Sequence, residues 1–366
     1  MCSSDLPTTD LYNMWQVLID HSTLGRFCGF TEISENYGRI LAEMNVPDIH
    51  FTYLVPQRFI GYFGNNVSYV SCEHPKSDLD KLGYRIDLWH STQQLFKFRK
   101  RSSHTKQLMT IHDLNYLGEK KGIHLVKHII RGKLRLMRSD YITVISDFVA
   151  KEIRRHCHVG KRPVITIYNG VRDSVNDPKV KPSFIKENER FFLAVGQVVA
   201  RKNYDTLLPM MNRFPDHRLI ICGDLKAKLY VSKLRKEIDS QAENNNIVLT
   251  GGVSEAEKNW LYANCEALMM PSRLEGFGLP VIEAMRYGKP VFCSRMTSLP
   301  EIGGEHAFYW DDFEPDRMAE AVTKGIEEFR SPGRKESEIA YSQKFNYKEY
   351  TRQYLDLYRI ILNNQI

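Results

Sequence analysis

Two glutamates eight positions apart, Glu275 and Glu283, bracket a glycine-bearing loop, Gly276-Phe277-Gly278-Leu279, within PSRLEGFGLPVIEAMRYGKP, Pro271 to Pro290. Carboxylates are poor ligands for phosphate, but they are good acceptors for sugar hydroxyls. The loop between them favours the opposite charge. It follows an apolar run, Glu266-Ala-Leu-Met-Met270, that reads as a buried strand, and it leads into a helix. Pro280 suits the first helical turn, where a missing N–H costs nothing, and Gly288 suits the position just past the end. Strand, glycine loop and helix together aim backbone N–H groups and a positive helix end at an anion. Such a stretch suits a ligand that is both phosphorylated and polyhydroxylated.

The elements that must hold this loop follow an alternating rhythm. Short apolar strands are expected at Trp15–Asp20, His50–Val55, Val67–Cys72, Ile86–His90, Gln107–His112, Tyr141–Ser146 and Val164–Tyr168. Helices are expected between them, at Ser34–Met44, Leu125–Arg138 and Asp147–His156. Polarity rises over Asp173–Arg190, which carries two prolines and no periodicity and reads as a linker. A second series begins with the strand Phe191–Val195, ending at Gly196. It continues with helix Tyr204–Arg213, strand Arg218–Cys222, helix Leu225–Ala242 and strand Ile247–Thr250. Ser254 and Glu257 then form a capping-box pattern. After the loop of interest come strand Pro290–Ser294, a turn at Ser298–Gly304, strand Ala307–Trp310, helix Asp316–Phe329 and a last amphipathic helix, Tyr347–Leu362. This is the pattern of α/β units with parallel sheets, arranged as two doubly wound domains. Ligands of such sheets bind at the carboxyl ends of the strands, so two facing domains are expected to share one cleft.

Composition excludes several classes. At 366 residues, 42% hydrophobic and 26% charged, the chain is long enough for two globular domains. No apolar run approaches the ~20 residues that cross a bilayer. Met1–Asn13 is too polar for a secretory signal. The seven cysteines, Cys2, Cys28, Cys72, Cys157, Cys222, Cys265 and Cys293, are scattered, which suits free thiols in a reducing cytoplasm. His156-Cys157-His158 lacks a second ligand cluster and reads as a helix end. Asp78-Leu79-Asp80 lacks the strand context of a metal-binding Asp-x-Asp and reads as a turn, so no metal requirement is expected.

The net charge of +7 is unevenly placed. Between Lys97 and Arg138 lie Arg99, Lys100, Arg101, Lys106, Lys120, Lys121, Lys127, Arg131, Lys133 and Arg135, opposed by Asp113 and Glu119. Leu125, Ile129, Leu134 and Met137 fall among them, the pattern of a basic amphipathic helix on an anionic membrane surface. No helix-turn-helix, zinc-finger or RNA-recognition signature accompanies the charge, so nucleic acid is not an expected partner.

Taken together, the motifs resemble the retaining glycosyltransferases of family 4, which have the GT-B fold. Glu275 to Glu283 resembles that family's Glu-x7-Glu motif. Thr110-Ile-His112-Asp113-Leu, Thr143-Val-Ile-Ser146, Ile167-Tyr-Asn169-Gly170-Val171, Val195-Gly196-Gln197 through Arg201-Lys202-Asn203, and Ser298-Leu-Pro-Glu301-Ile-Gly-Gly304 resemble further segments in the family's order. The similarity runs from about Ile111 to Trp310.

The resemblance implies an acceptor-binding domain over 1–178, rejoined by the C-terminal helix 346–366, and a donor-binding domain over 179–345. It places Lys202 on the diphosphate of a nucleotide-sugar donor and Glu283 on the ribose hydroxyls. Glu275 and the amides of Phe277 to Leu279 fall near the transferred sugar, with His112 at that sugar or the acceptor. Gly29, Asn169 and Gly196 complete the donor-binding set, with Gly29 the best counterpart of the family's N-terminal glycine loop. Gln197 stands where many members have arginine, so Arg201 is expected to supply the second cation. The implied activity is metal-independent, retaining transfer of a hexose or deoxyhexose, with guanosine-diphosphate mannose as the narrowest reading. The acceptor would be a lipid-linked or surface glycan at the inner membrane face. A nucleotide-sugar epimerase of the same fold, or a non-catalytic sugar-nucleotide-binding subunit, shares these motifs.

Overall fold

A computed structural model describes residues 13–25, 29–98, 100, 102–240 and 246–365. Cys2, Cys28, Arg99, Arg101, Ala242 and nearly all of Met1–Asn13 lie outside the described residues. The chain divides into two compact units: one runs to Gly170 and takes in Asn346 onward, and the other is Val171–Phe345.

In the first unit the strands are β1 (Trp15–Asp20), β2 (Ile49–Val55), β3 (Ser68–Ser71), β4 (Leu88–Ser91), β5 (Lys106–Ile111), β6 (Tyr141–Val144) and β7 (Val164–Thr166). They pair in the order β3-β2-β1-β4-β5-β6-β7, every described pairing parallel. In the second unit they are β8 (Phe191–Val195), β9 (Arg218–Cys222), β10 (Ile247–Gly251), β11 (Ala267–Met270), β12 (Val291–Ser294) and β13 (Phe308–Trp310). Their order is β10-β9-β8-β11-β12-β13, again parallel. Crossover helices cover both faces of such sheets, so the central strands read as continuous apolar runs; β2, β4 and β12 are buried at every position. In each unit the strand order reverses once, beside β1 and β4 in the first and beside β8 and β11 in the second. The crevice at such a reversal is where doubly wound sheets take ligands.

The sequence expectations fail in a few places, each with a physical reason. Asp78 and Asp80 lie in a helix, Pro75–Lys81, rather than a turn; Pro75 opens it, and Asp78 Oδ2 accepts the Ser71 N–H at 3.0 Å. The expected helix Tyr204–Arg213 is a run of tight turns around a short α-helical piece, Leu207–Met210. Pro209 within it cannot donate to a helical ladder. Ser298–Gly304 is a short helix, Leu299–Gly303, rather than a turn. Helix Arg334–Ser342 was not signalled at all.

The helix Tyr347–Leu362 carries the chain back into the core of the first unit. Asn346 caps it by accepting the Glu349 N–H at 2.8 Å. Its buried tyrosines join a hydrogen-bonded chain across the sheet. Tyr358 Oη lies 2.6 Å from Tyr37 Oη and 2.6 Å from His90 Nδ1, while His90 Nε2 meets Thr110 Oγ1 at 2.8 Å. Thr110 Oγ1 also lies 2.9 Å from Tyr354 Oη and 2.7 Å from Thr143 Oγ1. Buried polar groups of this kind stabilise little while paired and cost much when one partner is lost. Tyr358→Phe therefore leaves Tyr37 and His90 short of partners and is expected to cost about 1–3 kcal/mol in urea unfolding. Tyr69→Phe, which removes a half-exposed hydroxyl of the same unit, should cost less.

Candidate active site

The second unit brings the sequence-predicted donor residues to its own strand reversal. β8 ends at Gly196, whose φ is +140°. A Cβ built there would lie 3.1 Å from both Lys202 Nζ and Tyr204 Oη. The next strand end is tighter still, since a Cβ on Gly223 would come within 1.9 Å of the Gly196 carbonyl oxygen. Glycine at 223 thus lets the ends of β8 and β9 lie side by side.

Past Gly196 the chain makes a tight turn over Ala200–Lys202 and leaves it through Asn203 in the left-handed region, at φ +58°. The β11 loop is fastened to this turn. The Arg273 N–H donates to the Arg201 carbonyl at 2.7 Å, and Arg273 Nε donates to Asn203 Oδ1 at 2.8 Å. Two segments some seventy positions apart are joined here. Lys202, 7% exposed, places Nζ 2.6 Å from Glu275 Oε1, itself on a residue 9% exposed. The contact is an ion pair set off the directions of a hydrogen bond. Ser298 holds the loop from the other side, donating to the carbonyls of Glu275 and Phe277, and the Glu275 N–H donates to Thr297 Oγ1.

Gly278, at φ +105°, caps the helix Leu279–Arg286, with Pro280 in the first turn as expected. A side chain at 278 would meet Leu299 Cδ2 at 2.8 Å, so backbone lines the loop there. Glu283 lies one turn in, where Tyr262 Oη donates to its Oε2 at 2.5 Å and Lys258 Nζ stands 3.9 Å from its Oε1. Gln197 is exposed at the position that lacks a cation. The sequence reading missed Tyr204. Its hydroxyl is buried with no hydrogen-bond partner among the described residues, and burial, then the Glu275 charge, raise its pKa well above the usual tyrosine range. It stays protonated as a donor beside Lys202. Its signal was its place, two residues after Lys202. Arg273, Ser298 and Tyr262 act as positioners, and no local motif marks Tyr262.

The first unit holds the remaining predicted residues. Gly29 opens the helix Gly29–Glu43. His112, just past β5, is buried, with Nε2 2.8 Å from the Thr92 carbonyl oxygen. A carbonyl only accepts, so Nε2 carries the proton and Nδ1 the lone pair. Burial lowers the His112 pKa to about 4. Asn169 is buried, and its Oδ1 has no hydrogen-bond partner among the described residues. A cavity of about 690 Å³ sits at the carboxyl ends of β1, β2 and β3, lined in part by Ser22, Gln57, Arg58, Glu73 and Lys97.

The same unit has an acid-sensitive core. Burial lowers His21 to about 3 and His50 to about 4, beside His112. Neither ring nitrogen of His21 has a hydrogen-bond partner among the described residues. These groups are neutral when folded, whereas the unfolded chain binds protons near pH 6.5. Their contribution is fully present above that pH and declines as pH falls from 6.5 toward 4. Denaturant unfolding should show this loss, and His21→Phe should remove on the order of 3 kcal/mol of it by pH 4. An unchanged slope in that variant would refute the assignment.

The basic segment is partly engaged with its own unit. Lys100 pairs with Asp140 at 2.6 Å, Lys106 donates to Ile361 O and Asn364, and Arg135 donates to Phe96 O. The helix Gly122–Met137 presents Ile123, Val126, Ile130, Leu134 and Met137 to solvent, while Leu125 and Ile129 are half-buried. The exposed stripe therefore differs from the expected one, and it carries Lys127, Arg131 and Lys133 alongside. Among the described residues no helix is long and apolar enough to cross a membrane. No described group of three His, Cys, Asp or Glu residues could hold a metal ion.

Comparison with known proteins agrees with this layout. Residues 39–175 match the family described as Glycosyltransferase Family 4, and residues 175–341 match Glycosyl transferases group 1. The O-antigen chain mannosyltransferase RfbU of Salmonella typhimurium is 26% identical over 67% of this chain and 70% of its own length. O-antigen chain mannosyltransferase B of Escherichia coli is 31% identical over 47% of this chain and 46% of its own. Among solved structures, Anabaena Alr3699/HepE in complex with UDP and glucose superposes with a TM-score of 0.70 at 16% identity, covering 94% of this chain and 99% of that one. Sucrose-phosphate synthase from Thermosynechococcus elongatus gives 0.70 at 16%, covering 96% and 100%. With one family matched in each unit and parallel sheets of the GT-B type, the chain belongs to the family 4 glycosyltransferases and has mannosyltransferases among its relatives.

Proposed function

We propose that this glycosyltransferase moves a hexose or deoxyhexose, with mannose from GDP-mannose as the narrowest case, from a nucleotide sugar to a lipid-linked or surface-polysaccharide acceptor, retaining the anomeric configuration and using no metal. The observation that carries the reading is the Lys202–Glu275 ion pair at the strand reversal of the second unit, with Glu283 held by Tyr262 one helical turn away. As the sugar C1–O bond breaks, the electron pair leaves with the diphosphate. A buried ammonium and a protonated Tyr204 hydroxyl beside it stabilise that growing charge. Glu275 then faces positive charge developing on the sugar, and Glu283 accepts from ribose hydroxyls. The acceptor oxygen bonds to C1 on the face the diphosphate leaves, and its proton passes to a diphosphate oxygen. Acceptor recognition falls to the first unit, whose 690 Å³ cavity lies at strand carboxyl ends. The exposed stripe of the helix Gly122–Met137, set among cations, would hold the protein against an anionic membrane on the cytoplasmic side.

The test is a panel of nucleotide sugars offered to the purified protein with and without membrane extract. Diphosphate release that depends on extract, with an axial product from an axial donor by NMR, is the expected result. A changed sugar without release would identify an epimerase instead, and binding without either would identify a non-catalytic subunit. For the membrane contact, binding to phosphatidylglycerol vesicles should fall with salt and with Lys127→Glu/Arg131→Glu. Binding indifferent to both would remove it.

A further inference from the structure

A second cavity of the first unit, about 660 Å³, adjoins the one at the strand carboxyl ends, sharing Lys97 and Phe98 with it. Among the described residues, one crossover beside it carries no helix. Parallel neighbours are ordinarily linked by a helix that covers the sheet, but the described residues between β4 and β5 form none. Phe98 packs there against the cluster of Leu18, Leu54, Val70 and Trp89 and covers only part of that face. The remaining hollow has an apolar floor and a cationic wall. Leu79, Trp89 and Phe98 make the floor. Lys76, Lys97, Lys100 and Arg138 line the wall, with no carboxylate among the lining residues; Asp140, which pairs with Lys100, stands just outside.

The indole of Trp89 is the least expected feature. The residue is 2% exposed, and its Nε1–H is buried without a hydrogen-bond partner among the described residues. A donor buried this fully is out of reach of a group in the cavity, so Trp89 contributes apolar surface to the floor. Arg138, which ends the helix Gly122–Met137, joins the cavity to the helix that exposes the apolar stripe.

We propose that this cavity binds a phosphate or diphosphate head group carried on an apolar chain, with the cations on the oxygens and the chain lying over Leu79, Trp89 and Phe98. No residue of the donor site lines the cavity, but Lys97 and Phe98 also line the 690 Å³ cavity given to the acceptor, so the proposal rests in part on the glycosyl-transfer reading. Two sources share this chemistry, a prenyl diphosphate and a bulk phospholipid, and the test separates them.

Full-length protein is titrated calorimetrically with a short prenyl diphosphate, with short-chain phosphatidylglycerol, and with inorganic pyrophosphate. One of the two amphiphiles is expected to bind more tightly than pyrophosphate, with affinity falling as salt rises. Lys97→Ala/Arg138→Ala should weaken that binding at least about tenfold. Lys202→Ala should leave it unchanged while impairing binding of nucleoside diphosphates. Pyrophosphate binding as tightly as either amphiphile, or loss of binding in Lys202→Ala with none in Lys97→Ala/Arg138→Ala, would overturn the assignment. So would the absence of binding by all three probes. A folded far-ultraviolet spectrum for each variant keeps these outcomes interpretable.

Discussion

Replacing Lys202 by alanine is expected to lower sugar transfer on the order of 10²–10³-fold, the usual effect of removing one preorganised group that faces charge developing in the transition state. The substitution has a second effect that must be separated from the first. Lys202 is 7% exposed and sits 2.6 Å from Glu275 Oε1, so its removal leaves a carboxylate buried without its cation. Breaking one side of a buried pair typically costs about 3–5 kcal/mol, whereas removing both sides can be nearly neutral. Lys202→Met/Glu275→Gln should therefore be more stable than Lys202→Met alone, while remaining as deficient in nucleoside diphosphate affinity. A structural role alone would restore affinity together with stability in the double variant. Recovery of donor binding there would sink the diphosphate assignment; persistent loss in a well-folded protein supports it.

The second large effect lies on a helix packed against Leu279–Arg286. Glu338, on the helix Arg334–Ser342, is fully buried, and neither carboxylate oxygen has a hydrogen-bond partner among the described residues. Burial raises its pKa to about 9, with the Arg334 charge pulling the other way. The folded state thus holds a proton that the unfolded chain releases near pH 4.5. Stability from this group is greatest below that pH and declines as pH rises toward 9. Near pH 7.5, about three units above the unfolded titration, the penalty approaches about 4 kcal/mol. Glu338→Gln keeps the shape without the ionisation, so it should raise stability by a few kcal/mol at pH 7.5 and little at pH 4.5. Equal gains at both pH values would show that packing, not proton release, governs the site. The two units then respond oppositely to pH: the first weakens in acid through its neutral histidines, and the second weakens as pH rises above about 4.5 through this carboxyl.

Much of the frame was legible because parallel strands buried on both faces leave uninterrupted apolar runs. β1, β8 and β9 coincide with the runs Trp15–Asp20, Phe191–Val195 and Arg218–Cys222. The capping box of Ser254 and Glu257 is formed as its spacing foretold. The geometry around Glu275 and Glu283 was legible because its constraints are local: Pro280 in a first turn, Gly278 at φ +105°, and carboxylates one loop and one turn away. What tied the site together was not local. Arg273 reaches Asn203, and Tyr262 reaches Glu283, through contacts that only the completed sheet creates. The cavity over Trp89 escaped notice for a related reason. Lys76, Lys97 and Arg138 are ordinary surface cations in sequence, and only the folded unit brings them together.

The return of the chain at Asn346 has a consequence for biosynthesis. Val171–Phe345 is one contiguous stretch, complete as soon as it clears the ribosome, whereas the first unit waits for the residues after Phe345. Until they emerge, Tyr37, His90 and Thr110 face an unfilled groove where Tyr354 and Tyr358 belong. The part made first is therefore finished last, and a nascent chain stalled before Tyr347 should present a folded second unit beside a first one still exposed to chaperones and proteases.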